Sequence, residues 1–103
     1  MPPLKSVNIV KLPQWRYLGG ITITANGTSQ AVALPSDAST FVIAARGGDV
    51  HFNINGPVVV TSPGFVAENG SDVFGPISNL ESLYVYGAVG AYAHIMFFAE
   101  IAR

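Results

Sequence analysis

Turn-forming residues cut this chain into pieces too short for anything but strands. Asn-Gly dipeptides stand at Asn26-Gly27, Asn55-Gly56 and Asn69-Gly70. Further breaks fall at Pro35-Ser36-Asp37, Gly47-Gly48-Asp49, Ser62-Pro63-Gly64 and Gly75-Pro76. Asn and Gly both tolerate positive φ, which tight hairpin turns demand. Breaks roughly 8–12 residues apart are the rhythm of a β-sandwich or barrel.

Between the breaks the residues alternate as strands do. Val50, Phe52 and Ile54 share one face of a run, with His51, Asn53 and Asn55 on the other. The pattern predicts strands at 6–11, 17–25, 29–34, 40–45, 50–55, 58–61, 64–67, 83–86 and 91–101. No ten-residue segment carries a helical apolar stripe, and 78–82 suits one helical turn at most. The expected fold is all-β: a single-domain antiparallel β-sandwich or jelly-roll-like barrel over residues 17–103. Residues 1–16, with Pro2, Pro3 and Pro13, read as an N-terminal arm that extends onto a neighbour or as an edge strand of the same sheet.

Charge is scarce. Asp, Glu, Lys and Arg make up 11% of the 103 residues, against about 25% in an ordinary soluble domain. The net charge is −1, and Lys5, Lys11, Arg16, Arg46 and Arg103 are scattered. No basic patch is set to meet phosphates, which argues against a nucleic-acid partner. The run 82–99 lacks charge and is long enough to span a bilayer as a helix. Its Tyr84, Val85, Tyr86, Ile95, Phe97 and Phe98 are strand formers, however, and Gly87 and Gly90 mark a turn, so no membrane partner is expected. The N-terminal residues lack a signal-peptide pattern, and the chain has no cysteine for disulfides. Both fit folding in a reducing cytosol.

The two-faced character of the strands points to a partner. In 91–101, Ala91, Ala93, Ile95, Phe97, Ala99 and Ile101 form a core face. Tyr92, His94, Met96, Phe98 and Glu100 form the opposite one. The run 40–45 is similar, with Phe41, Ile43 and Ala45 set against Val42 and Ala44. Such a strand is either central and buried on both faces within one subunit, or covered by another subunit. The second reading makes Tyr92, Met96 and Phe98 subunit-interface residues of a homo-oligomer.

No catalytic, cofactor or metal residues are expected. His51 and His94 lack metal-site spacing, even with Asp49 or Glu100 as a third ligand. Ser62 sits on a turn without the Gly-x-Ser-x-Gly of a hydrolase. Asp37, Asp49, Glu68, Asp72, Glu81 and Glu100 mostly fall at turns, where solvation accounts for them. Gly47-Gly48 lacks the remainder of a phosphate loop. Asn26-Gly27-Thr28 and Asn69-Gly70-Ser71 match the N-glycosylation pattern, but a turn role explains them. Trp15, Tyr17, Tyr84, Tyr86 and Tyr92 offer an aromatic platform for a sugar, or else core and interface packing.

The run 41–54, Phe-Val-Ile-Ala-Ala-Arg-Gly-Gly-Asp-Val-His-Phe-Asn-Ile, is a strand, a Gly-rich turn and an alternating strand. With Leu80-Glu81-Ser82-Leu83-Tyr84-Val85 and the closing run 91–99, it resembles in pattern the small virion proteins of tailed bacteriophages. That resemblance implies a non-enzymatic structural component located in the virion and made in the host cytoplasm. A capsid decoration (cement) protein, trimeric and bridging capsomers of the major capsid protein, is the first expectation. A tail or fibre component, or a carbohydrate- or receptor-binding module, is the alternative. In the first case residues 1–16 are the capsid-gripping arm, with Leu4, Val7 and Ile9 in contact with the lattice. Residues 1–16 do not resemble the long Ala/Thr/Pro-rich leader of the lambda-type decoration proteins.

Overall fold

The structure, a computed structural model, describes residues 14–60 and 62–101. Eight strands follow one another: β1 (Gln14–Thr24), β2 (Gln30–Val32), β3 (Thr40–Arg46), β4 (Val50–Ile54), β5 (Gly64–Val66), β6 (Ser71–Phe74), β7 (Leu83–Tyr86) and β8 (Tyr92–Ile101). They form two four-stranded sheets, β1-β8-β3-β6 and β2-β7-β4-β5. The first contains strands of up to 11 residues and is called the long sheet; the second, with strands of three to five, is the short sheet.

The pairing is mirrored about the β4–β5 connection. β1 pairs with β8, β2 with β7, β3 with β6 and β4 with β5, all antiparallel. The chain is therefore one long hairpin with its tip between β4 and β5. Rolling it up brings β8 beside β3 and β7 beside β4. This strand order is a jelly roll, one of the ways an antiparallel fold closes a core between two sheets.

Alternation explains the core. Phe41, Ile43 and Ala45 on β3 oppose Phe97, Ile95 and Ala93 on β8, and all six are buried. From the short sheet, Val50, Phe52, Val66, Leu83, Val85 and Val32 pack against them. Phe41, Phe52 and Phe74 form an aromatic knot across the two sheets, with ring centroids 4.7–5.8 Å apart. At Leu18 the β1 register slips by one, placing Leu18 against the core and Tyr17 opposite Phe98.

Several expectations need correction. Residues 58–60 form no strand, although three consecutive valines favour one. β4, the strand they follow, already has β7 and β5 as neighbours, so they cannot pair back onto it. A turn closes there instead, with Ser62 N donating to Val59 O and Val59 N to Ser62 Oγ. Conversely, β6 was not expected; it is a four-residue edge strand paired to β3. Residues 78–79 make a turn and no helical turn.

The Asn-Gly pairs do not close two-residue hairpins. The first and third turn corners between the sheets, where Gly27 and Asn69 take φ of 81° and 67°. Asn26 Oδ1 accepts from Thr28 N and Oγ1, so the Asn-x-Thr pattern there makes a local turn. At the second pair, Asn55 takes φ of 61° and ties down the 79–82 loop. Its Oδ1 accepts from Glu81 N and Ser82 N, and its Nδ2 donates to Asn79 O. The expected strand 6–11 lies outside the described residues, whereas 14–16 belong to β1.

Candidate functional site

Because inward positions fill the core, the outward positions of each sheet are what the molecule presents. On the long sheet they align in rows across the strands. One row holds Gly20, Met96, Val42 and Val73; the next holds Tyr17, Phe98 and Thr40; a third brings Trp15 beside Glu100. Val73 is 63% exposed, Tyr17 58% and Met96 43%. The Tyr17 and Phe98 rings lie 5.5 Å apart. Gly20 permits this arrangement: a Cβ there would approach Ile95 O at 2.8 Å and Tyr17 Oη at 3.3 Å. The surface is therefore a broad apolar face with a bare backbone row beneath Tyr17.

A shallow groove of about 220 Å³ runs through this face, lined by Trp15, Thr40, Val42, Val73, Gly75 and Phe98. Thr40 is only 5% exposed, and its Oγ1 is buried with no hydrogen-bond partner among the described residues. Towards the other end of the sheet the face becomes polar. Thr22 Oγ1 and His94 Nδ1 are hydrogen-bonded at 2.8 Å across β1 and β8, and the His94 ring meets Tyr92 edge-on.

The expected interface residues Tyr92, Met96 and Phe98 thus all lie on the outer face of β8. Phe98 is half-buried under Tyr17, while Tyr92 and Met96 are open. Of the two readings of a two-faced strand, burial on both sides within one subunit is not what the described residues show for β8. Leu4, Val7 and Ile9 lie outside the described residues. Sequence reading missed Val73 and Trp15 as members of this face. The Val73 signal was available only in retrospect, because β3 needs an antiparallel partner at the mirrored position of the roll.

The short sheet presents a different surface. Phe65, His51 and Tyr86 stand in one row across β5, β4 and β7. The imidazole is 5.1 Å from the Phe65 ring and 6.1 Å from the Tyr86 ring. Asn53 and Tyr84 form the neighbouring row. Beside Tyr86 and His51, Val58, Val59 and Val60 wall a half-open cleft of about 420 Å³.

The aromatic platform expected from sequence is therefore divided. Trp15, Tyr17 and Tyr92 face out from the long sheet, Tyr84 and Tyr86 from the short one, with the core between them. The same division separates His94 from His51, so the two imidazoles cannot share a metal. Among the described residues, no three His, Asp or Glu side chains gather as a metal site. The 82–99 run folds as β7 and β8, and no described helix is long and apolar enough to cross a membrane. Compared with protein-family models, curated proteins and solved structures, the chain matches none.

Proposed function

We propose that this chain is a non-enzymatic structural subunit whose long-sheet outer face is covered by like copies, in the manner of a decoration protein on a virus shell. One observation carries the reading: a continuous apolar surface from Trp15 and Tyr17 through Phe98 and Met96 to Val42 and Val73 on a sheet whose other face already fills the core. Isolated exposed apolar side chains are ordinary, whereas a contiguous patch of this kind marks an interaction site.

Size supports the same reading. Three strands ~4.8 Å apart over the seven residues of β3 at ~3.3 Å each, with the four residues of β6 added at one edge, cover on the order of 400 Å². That flat area is about half of the ~800 Å² per partner of a standard interface, and side-chain relief and the surrounding rim add to it. Each Å² of apolar surface removed from water contributes roughly 25 cal/mol before the costs of association. In a shell, a trimer would multiply weak lattice contacts through effective concentration. Those lattice contacts are assigned to Leu4, Val7 and Ile9 and to a major capsid protein, as the bacteriophage resemblance implies.

Two experiments test this. Sedimentation equilibrium of the 10.8 kDa chain should give the mass of three copies, and Met96→Glu should reduce it to one. Added to expanded, undecorated capsids, the protein should bind and raise their heat resistance. Failure to bind sinks the decoration reading, and a single-copy mass for the parent chain sinks self-association.

A further inference from the structure

We propose that the outer face of the short sheet is a binding site for a neutral saccharide, separate from the self-association face. The row Phe65–His51–Tyr86 sets two exposed rings on either side of an imidazole, on three adjacent strands. Phe65 is 48% exposed and Tyr86 38%. Ladder pairing fixes their spacing, so the rings are placed before any ligand arrives.

The wall of the cleft is equally fixed. Val58 N donates to Ser29 Oγ, and Val59 N to Ser62 Oγ. Asn53 Nδ2 donates to Pro57 O, which roots the loop on β4 and leaves the carboxamide Oδ1 as an acceptor. Val60 is fully exposed at the rim. The ring row gains nothing from the core, which lies on the opposite side of the sheet.

The chemistry selects the ligand. His51, Val58, Val59, Val60 and Tyr86 line the cleft, and none carries a fixed charge. A phosphate, sulfate or acidic sugar would find no Lys or Arg among the lining residues, and burying it unpaired is costly. A purely apolar ligand would suit the Tyr86 ring and the valines but would cover the imidazole and the Tyr86 hydroxyl without hydrogen-bonding them. A pyranose meets both demands, with a C–H face for Tyr86 and the valines, hydroxyl edges for the imidazole and the Tyr86 hydroxyl, and a second residue of a chain able to reach Phe65 across His51. The volume falls in the range of small-molecule sites, ~300–1,000 Å³.

A printed array of neutral glycans ending in glucose, galactose, mannose, xylose, fucose or N-acetylhexosamines tests this, with each hit titrated calorimetrically as the free oligosaccharide. At least one should bind the full chain. Tyr86→Ala and Phe65→Ala should each weaken binding at least tenfold, Tyr86→Phe less than threefold, and Tyr92→Ala on the long sheet not at all. Circular dichroism checks that each variant is folded. The site is refuted if no glycan binds, or if binding survives both alanine variants. It is also refuted if a proline-rich peptide or 1-anilinonaphthalene-8-sulfonate occupies the cleft with the same Tyr86 dependence while no glycan does. Because self-association is read at Met96 and glycan binding at Tyr86, failure of one leaves the other standing.

Discussion

The outer faces of the long and short sheets are both apolar, but in different ways. The long sheet offers Met96, Val42, Val73, Trp15, Tyr17 and Phe98 over four strands, with a shallow groove among them. The short sheet offers one aromatic row interrupted by His51, with Asn53 alongside and a loop standing up as a wall. Strand length accounts for the difference. β1 and β8 run for 11 and 10 residues and make an area large enough for another folded surface. Strands of three to five residues give way quickly to loops, and loops build walls. In one jelly roll, then, the same alternation yields a broad apolar face on one sheet and an aromatic row beside a cleft on the other.

The widest way to break this contrast is to remove the core that separates the faces. Phe41 is fully buried and touches both Phe52 and Phe74. Phe41→Ala should cost about 3–5 kcal/mol, seen as a lower urea midpoint, and both faces should be lost in a single transition. Independent loss would show that the sheets do not form one cooperative unit.

Asn55→Ala strikes closer to the short sheet. It removes two acceptor bonds and one donor bond to the 79–82 loop, at a residue with positive φ. A loss of about 1–3 kcal/mol is expected. Amide exchange should rise at Glu81 and Ser82 more than in β8; uniform acceleration would contradict a local role.

Phe98→Ala opens the centre of the long-sheet face while leaving the short sheet untouched. It should weaken association by roughly tenfold, about 1.4 kcal/mol, with the glycan titration unchanged. The smallest effect belongs to Tyr86→Ala. As a partly exposed ring on the short sheet, it should shift folding stability by less than about 1 kcal/mol and leave the sedimentation mass as it was. A fall in mass on Tyr86→Ala would mean that the short sheet also takes part in assembly.

Much of the fold could be read from residue pattern. The runs around Phe41, Val50 and Ile95 alternate so regularly that their inward faces could be named, and those faces form the core. The errors have two physical sources. Positive φ is needed wherever the chain turns sharply, so Asn26-Gly27 and Asn69-Gly70 look like hairpin turns although they carry the chain from one sheet to the other. Strand propensity yields to tertiary context, so Val58–Val60 turn instead of pairing while Ser71 and Asp72 pair with β3. The sites were harder to see. Tyr92, Met96 and Phe98 share a strand, and alternation groups them. The row Phe65–His51–Tyr86 joins three strands, and only register brings it together.

The claim on which the rest depends is that the long-sheet outer face is covered in the assembled protein. Sedimentation equilibrium of the parent chain beside Met96→Glu, across a hundredfold range of concentration, tests it most directly. The expected result is three times the 10.8 kDa chain mass for the parent and a single-chain mass for the variant. A parent chain that stays folded as one copy throughout that range, with Met96→Glu indistinguishable from it, would contradict the account.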